Sequence, residues 1–471
     1  MATRAIVVGG SLAGLCAGRV LGRFFDRVTV IDRDSYPAAA ADRTGVPQGR
    51  HVHALLARGR RELERLFPGF DPAMRQRGAL EIDFGWEVAA LRQFGWLPRE
   101  PSGITSLFAS RAMLETVVRD RLRTLPTVEL IEDTAVVDVV WSGVDGGRRA
   151  TGVRLRSAVA GTGRELAADL VVDASGRQSR APEWLRAAGV EPPAETVVDS
   201  LCGYSTRWFK APEPERWPSE WWWKGIWIDP LLPAQRTAGV LFPVEGGRWI
   251  VTLAGIGGHY PPGDEAGFTA ALGTLRSPLL AEAVRLAKPI SPVYGNRAMA
   301  NRFRHYERSA EHPAGFLAVG DSVCAFNPIY GQGMTSAAVC ARILEDSLER
   351  LGPTARELPR RFFRAQARFL RDPWTLATGA DLHIPETQGA RPALLNVVAR
   401  YMDALFATAQ TDAEVRRRIH AVMNMLAPVS AFFSPEILGR VASGTLRRWA
   451  AVAELTAPPL PPPVPDTVAA G

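Results

Sequence analysis

The hydrophobic pattern at the start of the chain predicts a strand, a tight turn, a helix and a second strand within residues 4–32. Residues 5–8 and 28–31 are short apolar runs of the kind found in buried parallel strands, and residues 15–21 between them have helical spacing. Two strands joined through a helix make a βαβ unit, which implies a parallel sheet.

The pattern then alternates between helices and strands. The predicted elements are, in chain order, a helix at 54–67, a helix at 110–125 with Ser110 as its N-cap, strands near 128–140 and 150–157 joined by a turn at Asp145, Gly146 and Gly147, and a buried strand at 169–173. Between residues 196 and 310 the strands alternate and are rich in aromatic residues, with a hairpin over residues 239–253. This stretch predicts a separate, mostly antiparallel sheet.

Residues 315–345 return to strand, glycine turn and helix, and residues 355–455 are helical in pattern. We therefore predict an α/β fold: a non-contiguous Rossmann-type nucleotide-binding domain, an antiparallel-sheet substrate domain and a C-terminal helical region. The expected boundaries are 1–195 and 296–375 for the two parts of the Rossmann-type domain, 196–295 for the substrate domain, 376–457 for the helical region and 458–471 for a proline-rich tail.

Composition narrows the class of protein. Of the 471 residues, 46% are apolar and 22% charged, the balance of a soluble globular chain with more than one core. No apolar run is long enough to cross a bilayer, and the first strand begins too close to Met1 for a secretory signal. A cytoplasmic protein without stable membrane insertion is expected.

The net charge and the candidate metal ligands do not narrow the class of protein much further. The net charge is +7, but arginines alternate with glutamates on helix-like segments, so we expect no nucleic-acid partner. The four cysteines are scattered and the seven histidines do not fall at ligand spacings, so no metal site is predicted.

The turn at residues 9–14, Gly-Gly-Ser-Leu-Ala-Gly, is similar to the dinucleotide-binding pattern GxGxxG. Its glycines permit a tight turn and close helix packing, and the following helix N-terminus presents N–H groups to a pyrophosphate. Asp32 ends the second strand, where a carboxylate accepts hydrogen bonds from an adenosine ribose. The cofactor contacts predicted here are Gly9, Ser11, Leu12, Ala13, Gly14, Asp32 and the adjacent Arg33.

A second carboxylate and glycine turn follow much later. Asp321 ends a buried run, and residues 327–334, Asn-Pro-Ile-Tyr-Gly-Gln-Gly-Met, open another helix. That helix N-terminus would face the negative charge that a reduced flavin develops at its N1–C2=O edge, while Asp321 binds a ribityl or ribose hydroxyl. One helix start for the pyrophosphate and one for the isoalloxazine predict FAD as the cofactor.

Three segments together resemble the aromatic-hydroxylase-like superfamily of FAD-dependent monooxygenases, which has the p-hydroxybenzoate hydroxylase fold. They are residues 9–14 with Asp32, residues 173–179 (Asp-Ala-Ser-Gly-Arg-Gln-Ser) and residues 320–333, and they span about the first three quarters of the chain. Residues 43–53 and 247–255 are similar to a bacterial natural-product branch that includes the polyene epoxidases of polyether biosynthesis.

The resemblance implies an activity. FAD, reduced by NAD(P)H or by a partner flavin reductase, reacts with O₂ to give a C4a-hydroperoxide, which transfers one oxygen atom to a small apolar substrate. Epoxidation of an alkene or hydroxylation of an electron-rich ring is expected, in secondary metabolism such as antibiotic biosynthesis.

The resemblance also assigns residues. Arg111 contacts the FAD phosphates, and Arg43 and Gln48 line the flavin edge. The residues expected to border the reactive face are Pro328, Gly331 and Gly333, joined by the cofactor contacts Gln332 and Met334.

Departures from the family pattern bear on the electron donor and on halogenation. Ser175 stands where the middle motif usually has an aspartate, and Pro182 where an arginine is expected, which favours a partner reductase over direct use of NADPH. Residues 221–223 and 227–230 do not reproduce the halogenase signature WxWxIP, so halogenation is disfavoured.

Seven tryptophans lie within residues 208–249. Aromatic residues on alternating strands either pack in a core or line a pocket, and both interpretations remain open. The expected substrate contacts are Trp208, Trp223, Trp227 and Phe242.

Three other functions remain open for this fold. A redox-neutral cyclase of the [4+2] type would keep FAD as a scaffold, a flavin-binding protein would have no catalytic role, and a reductase would saturate double bonds.

Overall fold

A computed structural model describes residues 2–143, 147–157, 163–297 and 299–449. Over these ranges the chain forms thirteen α-helices and twenty-one β-strands. The tail at 458–471, and Asp145 and Gly146 of the predicted turn, lie outside the described residues.

The strands are β1 (Arg4–Val8), β2 (Arg27–Ile31), β3 (Leu80–Asp83), β4 (Val88–Arg92), β5 (Gly95–Trp96), β6 (Thr105–Phe108), β7 (Val128–Ile131), β8 (Thr134–Ser142), β9 (Arg149–Ser157), β10 (Gly163–Ala167), β11 (Leu170–Asp173), β12 (Glu195–Val198), β13 (Gly203–Lys210), β14 (Gly225–Ile228), β15 (Thr237–Val244), β16 (Arg248–Gly255), β17 (Lys288–Pro289), β18 (Tyr294–Asn296), β19 (Asn301–Arg304), β20 (Phe316–Ala318) and β21 (Cys324–Ala325). The helices are α1 (Leu12–Leu21), α2 (Ala57–Leu66), α3 (Phe70–Gln76), α4 (Phe84–Glu87), α5 (Arg111–Arg123), α6 (Ala181–Ala187), α7 (Glu265–Leu272), α8 (Leu279–Leu286), α9 (Gly333–Leu351), α10 (Leu358–Asp381), α11 (Leu395–Thr408), α12 (Ala413–Met423) and α13 (Pro435–Trp449).

A five-stranded parallel sheet has the order β20-β11-β1-β2-β7. β1 lies between β2 and β11, and β20 pairs with the far side of β11. Because β20 comes from a part of the chain almost three hundred residues after β2, this sheet unites distant segments. The predicted non-contiguous Rossmann-type domain is confirmed in this respect.

The helices on this sheet bring its two distant halves together. α1, from the start of the chain, packs against α9, which also contacts α2. Glu345 on α9 forms ion pairs with Arg23, just after α1, and with Arg65 on α2. The C-terminal half of α9 is thereby held against the end of α1 and against α2.

The second large element is an eight-stranded sheet with the order β17-β13-β16-β15-β14-β4-β5, and β18 also pairs with β13. It is mostly antiparallel, as expected, although β14 and β4 run parallel. The predicted hairpin is β15 and β16, in which Leu241 lies opposite Val251. β4 and β5 come from the stretch that the sequence assigned to the Rossmann-type domain, so that stretch contributes to both sheets.

The two faces of the eight-stranded sheet contact different layers. On one face, Leu241 and Val251 pack with α7 and α8 in an apolar core. On the other face, Phe242 and Val240 pack with Phe108 of β6. Alternate residues of each strand therefore belong either to the α7–α8 layer or to the layer that faces the parallel sheet.

The C-terminal helices α11, α12 and α13 form a small core of their own around Leu405, Val415 and Phe432. Within the described ranges, no helix combines the length and the apolar character that a membrane span requires.

Candidate functional site

The start of α1 is shaped by two glycines. Gly9 has a φ of +102°, and a Cβ there would lie 2.5 Å from the carbonyl oxygen of Ala174. A Cβ on Gly14 would collide with the carbonyl of Gly9. Only glycine fits these positions without a shift of the backbone. The turn therefore leaves the start of α1 open to a close approach, as a pyrophosphate requires.

The structure brings the second glycine motif to the same place. A Cβ on Gly320 would lie 2.7 Å from Cβ of Ala13 in α1, and a Cβ on Gly333, at the start of α9, would lie 3.8 Å from Oδ1 of Asp321. Two helix starts and one carboxylate thus converge from distant parts of the chain.

The polar atoms at this convergence suit a flavin. Burial raises the pKa of Asp321, against the opposing effect of Arg177 and Arg111. Gln332 is only 1% exposed, and its Oε1 has no hydrogen-bond partner among the described residues. A polar ring edge and a ribityl hydroxyl would satisfy these groups, so the residues present fit FAD.

A buried network of charges surrounds the start of α1. Arg111 Nη2 lies 2.7 Å from Glu115 Oε1, and Arg43 Nη2 lies 2.9 Å from Glu115 Oε2. Arg111 also donates to Ser11 Oγ over 3.1 Å, and Arg43 Nη1 lies 3.1 Å from Asp32. The expected phosphate contacts Arg111 and Ser11 therefore meet at Glu115, and Arg43 connects this carboxylate to Asp32, the expected ribose contact.

The electrostatics of Glu115 follow from these contacts. Burial alone would raise the pKa of Glu115, but Arg111, Arg43 and the Ser11 hydroxyl outweigh it and lower that pKa to about 2. Glu115 is thus ionised at neutral pH and holds both guanidinium groups in place. A phosphate at the α1 start would meet two cations that are already oriented.

The structure places Arg43 at the expected ribose end, whereas the cofactor contacts of Gln48 and Arg33 stay predictions. Arg43 contacts Asp32 and the carbonyl of Gly10, at the end predicted for ribose and pyrophosphate and not beside residues 327–334. The loop after β2 folds back over the end of that strand, which local sequence does not reveal. Gln48 is half-buried in a short 3₁₀ helix (Pro47–Arg50), and Arg33 is exposed.

Sequence reasoning missed two residues at this end. Glu115 lies four residues after Arg111 on one helix, a spacing that pairs opposite charges and could have revealed it. The Tyr36 ring lies 5.1 Å from the guanidinium carbon of Arg43 and 4.8 Å from that of Arg119. Its buried hydroxyl has no partner among the described residues and lies against Gly10, where a ribose hydroxyl could bind.

The residues of the α9 start take different positions. Pro328 is exposed, whereas Gln332 and Met334 are buried. Gly331 has a φ of +66°, a left-handed conformation that favours glycine. Ile329, between Pro328 and Gly331, packs on the apolar cluster that includes Tyr204, Ala238 and Ala254 of the large sheet. The turn before α9 therefore faces the large sheet.

The predicted substrate residues are divided between the two faces of that sheet. Phe242 stacks on Phe108 at 4.5 Å between ring centroids and lies 6.0 Å from Trp227. Trp208 lies on the same face beside Val52, in a separate cluster. Trp223 lies in the core under α7 and α8. Trp223 thus belongs to a core, whereas Phe242, Trp227 and Trp208 lie on the opposite face of the sheet, and their contact with a substrate stays a prediction.

A short polar chain crosses this apolar face. His51 Nδ1 lies 2.7 Å from Thr206 Oγ1, which lies 2.7 Å from Thr252 Oγ1. Burial, helped by Arg50, lowers the pKa of His51 to about 4. His51 is therefore neutral at physiological pH and offers a hydrogen-bonding group without a charge. The sequence analysis assigned His51 no role.

Ser110 links the cofactor end to the large sheet, and its replacement gives a direct stability test. Its hydroxyl caps α5 by accepting from Met113 N over 3.1 Å and donates to Glu245 Oε1 over 2.6 Å. Because Ser110→Ala removes both bonds, we expect a loss of about 1–2 kcal/mol in the free energy of unfolding. Urea unfolding would measure it, with replacement of the exposed Ser142 by alanine as the control; equal midpoints would contradict the predicted cap.

The fold is shared with known flavoproteins. The flavin-dependent brominase Bmp2 superposes with a TM-score of 0.66 at 14% identity, covering 95% of this chain and 100% of its own. A flavoprotein/dehydrogenase from Cytophaga hutchinsonii gives a TM-score of 0.66 at 14% identity over 95% and 99% of the two chains. The p-nitrophenol 4-monooxygenase PnpA from Pseudomonas putida DLL-E4 gives 0.61 at 18% over 90% and 99%. The chain thus has the aromatic-hydroxylase fold of FAD-dependent monooxygenases, which confirms the predicted fold class.

Sequence similarity shows the family to which the chain belongs. It is 30% identical over 460 residues to Protein Rv3254 of Mycobacterium tuberculosis (strain ATCC 25618 / H37Rv), and the match covers 94% of each chain. The chain belongs to the family of Protein Rv3254. No family model matches it.

Proposed function

We propose that this protein is an FAD-dependent monooxygenase that transfers one oxygen atom from O₂ to a small apolar organic substrate. The observation that carries the proposal is the meeting of the α1 start, Asp321 and the α9 start at one place, opposite an apolar face of the large sheet. Epoxidation of an alkene or hydroxylation of an electron-rich ring, in secondary metabolism, is the reaction that we propose.

The cofactor, when bound and reduced, supplies the activation of O₂. One oxygen atom enters the substrate and the other leaves as water, with a pair of electrons from NAD(P)H or from a flavin reductase. Arg111 and the N–H groups at the start of α1 would bind the FAD phosphates, and Asp321 would bind a ribityl hydroxyl. Tyr36 and Asp32 would bind the adenosine ribose.

The large sheet would hold the substrate. Phe242, Trp227 and Phe108 pack together in one apolar cluster, which would bind an apolar molecule and exclude water from the reacting atoms. Neutral His51, fixed by Thr206, would orient a polar group of the substrate. Oxygen transfer to an alkene needs no pair of acid and base side chains, so the apolar character of this face fits the proposed reaction.

The first experiment tests the reaction by product mass. The FAD-loaded protein is incubated with polyene and electron-rich aromatic probes under ¹⁸O₂, with and without NADPH plus a flavin reductase. We expect a product that gains one labelled oxygen atom only when a reductant is present. An isomer of unchanged mass formed without reductant would indicate a cyclase, a gain of hydrogen alone a double-bond reductase, and a gain of bromine in bromide buffer a halogenase.

A matched pair of variants tests where the substrate binds. Phe242 and Leu241 are neighbours in β15, both buried, on opposite faces of the sheet. Phe242→Ala is expected to raise KM for the apolar substrate, by about tenfold for the loss of about two methylene equivalents of contact. Leu241→Ala is expected to lower stability and leave KM unchanged. Equal KM values for the two variants would contradict a pocket on the Phe242 face.

A further inference from the structure

A buried carboxylate lies directly behind the turn that precedes α9. Asp381, at the C-terminal end of α10, is 2% exposed. Its carboxylate accepts from Tyr330 Oη over 2.8 Å and from Asn301 Nδ2 over 2.6 Å. Asn327 Nδ2 lies 3.3 Å from Oδ2 of the same group. The partners of Asp381 in the described structure are neutral donors, and an ion pair with Asp381 does not occur there.

These donors hold the turn at residues 327–331 on both sides. Asn327 begins the turn, receives a hydrogen bond on Oδ1 from Ile329 N, and donates its backbone N–H to Asn301 Oδ1 over 2.7 Å. Tyr330 lies next to Gly331, whose left-handed conformation ends the turn. Asp381 thus connects both ends of the segment that we expect to border the flavin.

The other titratable groups around Asp381 keep their protons. Burial raises the pKa of Tyr330 and of Tyr204 well above 10, with the charge of Asp381 adding to the effect. Burial also raises the pKa of Cys202 to about 12. Burial raises the pKa of Asp381 itself, against the hydrogen bonds from Tyr330, Asn301 and Asn327. Asp381 therefore ionises more readily than the tyrosines and the thiol beside it; Arg177 near Tyr204 and Asp199 near Cys202 are further charged groups around the cluster.

Asp381 accepts on both oxygens, from Tyr330 on Oδ1 and from Asn301 on Oδ2, and burying this carboxylate without a cation beside it carries a desolvation cost. Because that carboxylate lies behind the turn, its negative charge would act on a flavin bound in front of the turn. A negative charge near a flavin opposes the negative charge that the ring gains on reduction.

We propose that Asp381 is a positioning residue that fixes the turn before α9 through Asn327 and Tyr330 and sets the ease of flavin reduction by its charge. This inference rests on the proposed FAD site. It assigns a role at the flavin to the end of α10, a helix outside both predicted segments of the cofactor motif.

The test is the midpoint potential of the bound FAD between pH 5 and 9, measured against redox dyes in the wild-type protein, in Asp381→Asn and in Tyr330→Phe. As the pH rises and Asp381 ionises, the wild-type potential should fall more steeply than that of Asp381→Asn. The asparagine variant should therefore have the more positive potential at high pH and approach the wild-type value at low pH. Asp372→Asn, an exposed change on the same helix, should match the wild type throughout.

Tyr330→Phe is a second variant that tests the inference independently. It removes a donor to the carboxylate, so Asp381 should ionise at a higher pH and the steep part of the curve should move to higher pH. This variant decides the question if Asp381→Asn does not fold. Flavin-loaded variants whose potentials match the wild type at every pH would overturn the inference alone. A wild-type protein that takes up no FAD would overturn the proposed function with it.

Discussion

Replacing Glu115 with alanine is expected to destabilise the protein by about 3–5 kcal/mol, because the change leaves two buried cations without their shared partner. The side chains of Arg43 and Arg111 are 4% and 9% exposed, and both lie within 3 Å of the Glu115 carboxylate. After the change, Arg111 keeps, among the described residues, only its bond to Ser11 Oγ. Urea unfolding of the FAD-free protein at pH 7 measures the loss.

The same carboxylate predicts how stability depends on pH. The pKa of Glu115 is about 2 in the folded protein and about 4.3 in an unfolded chain. A lowered folded pKa means that the stabilisation is fully present above about pH 4.3 and is lost as the pH falls from there toward 2. The difference in stability between the wild type and Glu115→Ala should therefore be constant near pH 7 and shrink in acid.

An exposed pair on the same domain is the control. Glu129 and Arg27 lie 2.6 Å apart with side chains 46% and 64% exposed, so Glu129→Ala should cost less than about 1 kcal/mol. If Glu115→Ala cost no more than Glu129→Ala, the two buried arginines would have to be satisfied by other groups, and the charge network described above would be wrong.

The elements that the sequence predicted well are those determined by short stretches of chain. The βαβ unit, the Ser110 cap and the hairpin of β15 and β16 each depend on residues close together in sequence, and the structure contains all three. The convergence of residues 9–14 with Asp321 was also predictable, since each motif was expected to bind a different part of one cofactor.

The missed features depend on contacts between distant segments. Trp223 precedes β14 and lies outside the regular alternation of that strand, so its face is set by the α7–α8 layer that covers it. Arg43 lies in a loop without a periodic pattern. Asp381 did carry a signal, because it continues the buried stripe of α10 through Leu370 and Ala377. A carboxylate in such a stripe indicates a buried polar contact.

Replacing Arg111 with alanine is expected to weaken FAD binding by about 10- to 100-fold, the loss of about 1.5–3 kcal/mol for a hydrogen bond to a charged group. Arg111 lies beside the start of α1, where its guanidinium reaches Ser11 Oγ and is oriented by Glu115. A phosphate at this helix start would receive both the backbone N–H groups and the guanidinium. Titration of the FAD-free protein with FAD, followed by flavin fluorescence, gives the dissociation constant.

Arg77→Ala is the control, because the Arg77 side chain is 44% exposed and pairs with Asp120 of the same helix at the surface. It should bind FAD as the wild type does.

Glu115 keeps its contacts with Arg43 and Ser11 when Arg111 is removed, so thermal unfolding should show that the Arg111→Ala protein is folded. Its weaker binding of FAD would then reflect the missing phosphate contact. An Arg111→Ala protein with the wild-type dissociation constant would mean that the phosphates bind elsewhere, and the assignment of the α1 start to the pyrophosphate would fail with it.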